Sequence, residues 1–310
     1  MNAPESPKAA AVRKPGHGSG GGFLLGLTAY ALWGVLPVYF KALSAVPAVD
    51  IVAHRILWSL PFLAILILVT RGWDKVRAVA ARPRTLGILF VTALLIGGNW
   101  LLYVYAVTSG HILAASFGYY LNPLANVLLG RFVLREKLVR MQWAAVAIAA
   151  AGISVLAAGA LGQLWLSIAL CVSFALYGLL RKIVPADALT GLAVETAILF
   201  PLAIAWLGWL ALASQPVLGT TGLETGLLVF SGVISTTPLL LFTAAARRLP
   251  YSTLGMLQFL APTLQFLIAV LVYGEPFTLA HAIAFVAIWT ALALYVVAML
   301  RSPRLPQAPE

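Results

Sequence analysis

Gly118-Tyr-Tyr-Leu-Asn-Pro-Leu-Ala-Asn-Val-Leu-Leu-Gly130 is the stretch whose reading decides the fold. It is apolar enough for a bilayer, yet Tyr119, Asn122 and Asn126 stand at i, i+3 and i+7, on one face of a helix. Pro123 falls in the middle and has no N–H, so the carbonyl of Tyr119 loses its intrahelical donor. The stretch continues through Arg131 to Glu136. At an offset of 139 residues comes Gln258-Phe-Leu-Ala-Pro262-Thr-Leu-Gln265, closing at Glu275, and thirteen residues separate proline from glutamate in both copies. The same unit is written twice.

Composition explains the medium. The chain is 62% hydrophobic and only 9% charged, with a mean hydropathy of +0.99. Soluble domains carry about 25% charged residues, so this is a polytopic, all-α membrane protein with lipid as its surroundings. A net charge of +11 does not mark a nucleic-acid partner, because nearly all Lys and Arg sit in short connections beside apolar spans. The single cysteine, Cys171, lies inside a span and excludes a disulfide framework or a CxxC site. Four scattered histidines give no metal-ligand spacing.

Residues 1–21, rich in Ala, Pro, Gly and Lys/Arg, read as a disordered tail. A bilayer core takes about 20 apolar residues per helix. Segments of that length fall at 22–40, 49–70, 86–107, 112–134, 141–159, 163–181, 190–212, 225–245, 252–273 and 279–300, giving ten transmembrane helices. A short tail, 301–310, follows. Eighteen Lys and Arg lie in the N-tail, the 2–3, 4–5, 6–7 and 8–9 connections and the C-tail; the alternate connections hold only Lys41. That bias puts both termini in the cytoplasm.

Residues 86–158 align without gaps on 225–297, matching Leu101 with Leu240, Leu121 with Leu260, Pro123 with Pro262 and Glu136 with Glu275; Asn126 meets Gln265 as a similar pair. The two units are 22–159 (helices 1–5) and 163–300 (helices 6–10). Five helices is an odd number, so the second unit starts from the opposite side of the membrane. The expectation is an inverted-topology repeat, as in many secondary transporters.

Several stretches carry a family resemblance: Ala31-Leu-Trp-Gly-Val35, His54-Arg-Ile-Leu-Trp-Ser59, Ile96-Gly-Gly-Asn-Trp-Leu101, Gly118-Tyr-Tyr-Leu-Asn-Pro123, Phe242-Thr-Ala-Ala-Ala246 and Ser252-Thr-Leu-Gly255. Over residues 22–300 the chain resembles RarD-type members of the EamA family, in the drug/metabolite transporter superfamily. The resemblance implies an inner-membrane exporter of small metabolites, amino acids or drugs, working by alternating access.

Such proteins bind near the midplane, where backbone is broken or polar groups face a cavity. The freed carbonyls beside Pro123 and Pro262 are expected there, with Tyr119, Asn122, Asn126, Gln258 and Gln265 around them. Asn99 and Tyr103 stand at i, i+4 in the third span, Tyr30 and Trp33 share a face of the first, and Phe174, Tyr177 and Arg181 repeat that spacing in the sixth. The expected cavity is walled by helices 1, 3, 4, 6, 8 and 9 and suits an amphipathic, partly aromatic small-molecule substrate such as an amino acid. The competing role for each amide is to join helices by hydrogen bonds. The small-residue helices 5 and 10 are expected at the periphery.

Ionisable residues inside spans are functional suspects. Arg55 and Glu195 occupy equivalent places in the two units, and inversion sets them on the order of 15 Å apart in depth, too far for an ion pair. Arg181 or Lys182 suits Glu195; Asp50 or snorkelling to the outer interface suits Arg55. Both charges read as gating or structural groups. Glu136 and Glu275, at the membrane edge, are expected to bond the first amides of the following helix or to latch a gate. A membrane-embedded transferase would require a convergent His/Asp/Glu set or a metal, and a pump an ATP-binding motif. Neither is present, so no catalytic residue, metal or cofactor is expected, and a monomer suffices. A cysteine introduced within 108–111 is expected to react with an impermeant thiol reagent from outside, and one at 137 not to react; the reverse pattern refutes the topology.

Overall fold

The computed structural model describes residues 18–108, 112–157, 164–272 and 279–301, and every regular element among them is a helix. In chain order these are α1 (Gly18–Ala42), α2 (Ala48–Val69), α3 (Trp73–Ala80), α4 (Pro83–Thr108), α5 (Ile112–Phe132) and α6 (Arg140–Ala157). The second part of the chain contributes α7 (Leu164–Ile183), α8 (Ala188–Leu212), α9 (Gly222–Ala246), α10 (Tyr251–Gln258), α11 (Leu260–Leu271) and α12 (Leu279–Arg301). Glu275 lies outside the described residues, as do most of the N-tail and the C-tail beyond Arg301.

Six of the described helices, α1, α2, α4, α7, α8 and α9, are long and apolar enough by themselves to cross a membrane. Their outward faces carry Leu24, Ile65, Leu68, Leu202, Leu212 and Leu223, all exposed. In water such surface would aggregate; against acyl chains it is the stable arrangement.

The elements differ from the sequence expectation in four places. Helix α1 begins at Gly18, inside the expected tail, where Gly22 lies against Arg248 and Leu249. The connection after α2 folds into the short helix α3, whose Val79 is buried. Pro123 does not break its helix: α5 runs from Ile112 to Phe132 through it. One missing N–H removes one hydrogen bond, and the flanking turns keep theirs. The break comes instead in the second copy, where Phe259 separates α10 from α11 three residues before Pro262.

Helix ends are fixed by local chemistry. Thr221 and Glu224 form a reciprocal capping box at the start of α9, satisfying two orphan N–H groups at once. Asp187 caps α8 by accepting from the Thr190 amide at 2.9 Å. Its partial burial opposes ionisation, but the Thr190 amide and hydroxyl and the Lys75 ammonium together hold the carboxyl below its ordinary value. The contribution of Asp187 to stability is therefore complete above the usual aspartate pKa of about 3.9 and lost as pH falls through its lower folded value.

Packing is helix on helix. Helix α2 lies against α8 and α9, α1 against α9 and α11, α4 against α7 and α8, and α5 against α7 and α10. Helices α6 and α12 pair with each other, and their small residues build a separate apolar cluster with Tyr120 and Val127 of α5. This is the peripheral position expected of them. The tightest approach between the two prolyl segments is at Gly255: a Cβ there would stand 2.8 Å from Cβ of Asn126 and 2.9 Å from the Pro123 carbonyl. Gly255→Ala is expected to destabilise the protein by about 1–3 kcal/mol through overpacking. Gly226, with open space around its Cβ position, should tolerate alanine; thermal unfolding in detergent compares the two. Equal melting temperatures would mean that the α5–α10 seam is not close-packed.

Candidate functional site

Trp33 of α1 is the hinge of the site. Its ring lies 5.6 Å from Tyr30, 5.8 Å from Phe174 edge-on and 5.6 Å from Phe242. Aromatic pairs at 4.5–7 Å hold one another's geometry beyond simple area burial. Tyr177 stacks on Phe242 at 6.4 Å, so these five rings form a continuous plug joining α1, α7 and α9.

On one side of the plug lies a cavity with mixed aromatic, aliphatic and polar walls. Its lining comes from α1 (Tyr30, Trp33, Leu36, Phe40), α2 (Arg55), α4 (Ile96, Asn99, Trp100, Tyr103), α5 (Tyr119), α7 (Phe174), α9 (Leu239) and the α10–α11 segment (Gln258, Ala261, Pro262, Gln265). The cavity volume is about 110 Å³, room for several waters. Helices 1, 3, 4, 6, 8 and 9 of the sequence reading all contribute, and α2 is added through Arg55.

Most of the polar lining is anchored. Asn99 donates from Nδ2 to the Leu170 carbonyl at 3.0 Å and to the Ser173 hydroxyl at 2.9 Å, and its Oδ1 accepts from the Tyr119 hydroxyl at 3.4 Å. The Tyr103 and Tyr119 rings meet at 5.7 Å. Gln265 donates to the Trp33 carbonyl at 3.0 Å, and Gln258 accepts from Asn126 Nδ2 at 2.8 Å. Each bond crosses between helices, so the amides both join helices and present their remaining atoms to the cavity. Asn122, Asn126 and Tyr177 are not part of the lining. Asn126 donates from Nδ2 to Gln258 and Tyr177 faces Glu195, while among the described residues Asn126 Oδ1 and both polar atoms of the fully buried Asn122 have no partner.

Arg55 does not pair with Asp50 or snorkel outward, as the sequence reading expected. Asp50 accepts from the Trp206 indole N–H at 2.9 Å, and the guanidinium turns inward. Its Nε donates to the Ser235 hydroxyl at 2.6 Å, with the Trp100 ring 4.6 Å and the Phe40 ring 5.8 Å away. Sequence reasoning placed Arg55 among the gating charges and overlooked Trp100 and Phe40. The available signal was an arginine inside a span with no acid at helical spacing toward the bilayer.

On the other side of the plug, one turn beyond Tyr177 on α7, lies the buried ion pair. Arg181 Nε is 3.5 Å from Glu195 Oε1, and both side chains are 0–1% exposed. Thr92 donates to Glu195 at 2.5 Å, Tyr177 approaches its other oxygen at 3.5 Å, and Arg181 Nη2 donates to the Ala188 carbonyl at 3.0 Å. The expected partner for Glu195 was Arg181 or Lys182. It is Arg181; Lys182 instead donates to the carbonyls of Ala246 and Leu249 at 2.8 and 2.5 Å. A Cβ at position 191 would overlap the guanidinium, so Gly191 is the floor of this seat.

Glu136 holds a helix N-terminus, but not that of the following helix, α6. Its carboxylate accepts from the amides of Tyr251 and Ser252 at 2.6 and 3.0 Å and from the Ser252 hydroxyl at 2.6 Å, at the start of α10. Arg135, at φ 56°, turns the chain out of α5, and the Glu136 amide bonds back to the Gly130 carbonyl. That turn carries the carboxylate across to α10, where three donors and the helix dipole favour a negative charge.

The class follows from the apolar helices, the internal cavity and the known relatives. Residues 20–158 match the EamA-like transporter family. The chain is 49% identical over 283 residues to an uncharacterized transporter of Vibrio cholerae, covering 91% of this chain and 93% of that one. It is 42% identical over 291 residues to Protein RarD of Escherichia coli (91% and 96% covered), and 36% identical over 287 to the Chloramphenicol-sensitive protein RarD of Pseudomonas aeruginosa (89% and 93%). A crystal structure at 22% identity superposes with a TM-score of 0.69 over 92% of this chain and all of that one, which shows a shared fold. These findings define a multi-pass membrane transporter. The chain belongs to the EamA-like transporter family, and within it to the RarD-type members.

The buried pair yields a test. Arg181→Met leaves Glu195 charged and unpaired, and should cost about 3–5 kcal/mol. Adding Glu195→Met should recover most of that, as read from thermal unfolding of the three proteins. Failure of the double variant to recover would mean that the two charges are not coupled.

Proposed function

We propose that the protein is a secondary exporter of small amphipathic metabolites, amino acids including aromatic ones among them, across the cytoplasmic (inner) membrane. In this reading ten spans form two inverted five-helix repeats, with both termini in the cytoplasm, and a midplane cavity is exposed alternately to the two sides. The observation that carries it is the cavity itself: α1, α2, α4 and α5 wall one part, and α7, α9 and the α10–α11 segment wall the other.

The helix pairing supports the repeat. With α10–α11 counted as one span and α3 set aside, exchanging the two five-helix units maps the α5–α7 contact onto α1–α11. The same exchange maps α2–α9 onto α4–α8 and α1–α9 onto α4–α7, and leaves α2–α8, α6–α12 and α5–α10 as self-pairs. All of these contacts occur. In the alternating-access reading, the aromatic plug and the Arg181–Glu195 pair close one end of the cavity, and one repeat rocks against the other about the prolyl segments.

A second reading, a permease for chloramphenicol-like drugs, draws on the name of the Pseudomonas relative and on the aromatic walls, which suit that chemistry too. Counterflow into proteoliposomes loaded with amino acids, aromatic metabolites or chloramphenicol separates the two. Gln258→Leu should lower counterflow of the transported solute by about tenfold, the weight of one lost orienting hydrogen bond, with folded protein retained. Unchanged flux would remove Gln258 from the binding site.

A further inference from the structure

Among the described residues Arg55 is the only charged side chain that lines the cavity, and its surroundings differ from those of the other charges inside the fold. Glu195 has Arg181, Asp50 has the Trp206 indole, and the half-buried Glu136 has two helix-terminal amides. Arg55 has the Ser235 hydroxyl on Nε and two ring faces. The further titratable groups that reach it are the phenols of Tyr39, Tyr103 and Tyr119. Among the described residues no carboxylate forms an ion pair with it, and the hydrogen bond shown for its guanidinium is the one from Nε to Ser235.

A guanidinium carries five N–H donors in a planar fork and stays charged in proteins. Held in a low-dielectric site without a counter-ion, it is expensive, and a hydroxyl and a cation–π contact offset only part of the cost. The Trp100 ring centroid lies 4.6 Å from the guanidinium carbon, a contact that restrains the fork without using its N–H donors. Planar forks of this kind match the two oxygens of a carboxylate in a bidentate pair. The rest of the wall is aromatic, aliphatic and amide, and among the described residues no acidic side chain lines the cavity to receive an ammonium group.

We infer that the cavity selects organic anions, and that Arg55 binds the carboxylate of the transported solute while Trp33, Trp100, Tyr103 and Phe174 hold its apolar body. This rests on the transporter reading and narrows it: of the amphipathic solutes, those with a carboxylate are preferred, and amines lacking one are rejected. The solute supplies the counter-ion that the protein withholds, so binding replaces an unpaired buried charge with a neutral pair. A simple inorganic anion satisfies the charge but leaves the aromatic walls unfilled.

Phenylacetate, phenylacetamide and phenethylamine share a ring and differ in head group. With the purified full-length chain in detergent, calorimetric titration should give phenylacetate an affinity at least about 30-fold above phenylacetamide, with phenethylamine weaker still. Arg55→Gln should abolish the preference of phenylacetate over phenylacetamide, and Arg55→Lys should keep part of it. Thermal unfolding of each variant checks that it is folded, and the wild-type comparison of head groups requires no variant at all. Equal affinities for the three solutes, a preference for the amine, or chloride alone binding as tightly as phenylacetate would overturn the inference. Proteoliposome counterflow keeps the two readings separate. Flux of neutral or cationic solutes without carboxylate preference removes the anion site and leaves a transporter, whereas carboxylate binding without flux of any solute removes the transporter and leaves the anion site.

Discussion

A polar group inside hydrocarbon must find its partner within the chain, because no water is there to take the place of a missing one. The arrangement of this protein follows from that constraint. Among the described residues, several Ser and Thr hydroxyls turn back to carbonyls of their own helix, and a set of larger polar side chains reaches across to another helix. Asn126 bonds Gln258, Asn99 bonds Leu170 and Ser173, Ser59 receives Thr236, and the Tyr251 hydroxyl donates to the Ala175 carbonyl. Apolar contact alone holds helices weakly together in lipid, since the acyl chains are as apolar as leucine. These cross-links, with the small residues that let backbones approach, set which helices are neighbours. The cavity is what remains where the polar groups are anchored at one end and free at the other.

Two in-span charges then divide the labour. Glu195 is matched by Arg181, Thr92 and Tyr177 within a sealed seat. Arg55 faces the cavity with a hydroxyl and two rings. The first arrangement is complete without any ligand. The second is not, and the difference is one of partners rather than of burial, since both side chains are buried. An electrostatic asymmetry thus runs along the molecule, with a neutral pair beyond the aromatic plug and an unmatched cation before it.

Much of this could be read from the residues. Apolar runs located the helices, and of the singled-out aromatic and amide positions Tyr30, Trp33, Asn99, Tyr103, Tyr119, Gln258 and Gln265 line one cavity while Asn122, Asn126 and Tyr177 do not. What was not legible is three-dimensional partnering. Asn126 sits on the same helical face as Tyr119, but only the approach of α10 at Gly255 decides that its amide is spent on Gln258. Pro123 and Pro262 look alike in sequence, yet only the second unit is interrupted, at Phe259. The destination of Glu136 depends on the left-handed turn at Arg135, a conformation rare for arginine. The repeat-related position is Gly274, a residue that adopts such a turn freely, and that pairing was the available clue.

The Glu136 clasp has a consequence for how the chain is made. Its acceptor is synthesised 115 residues before the Tyr251 amide. At about 5–20 residues per second, the carboxylate waits roughly 6–23 s at the membrane edge before its donors emerge. During that interval α6 to α9 are made, while the turn after α5 lacks the helix start that it is shaped to hold. The joint therefore closes late in biosynthesis.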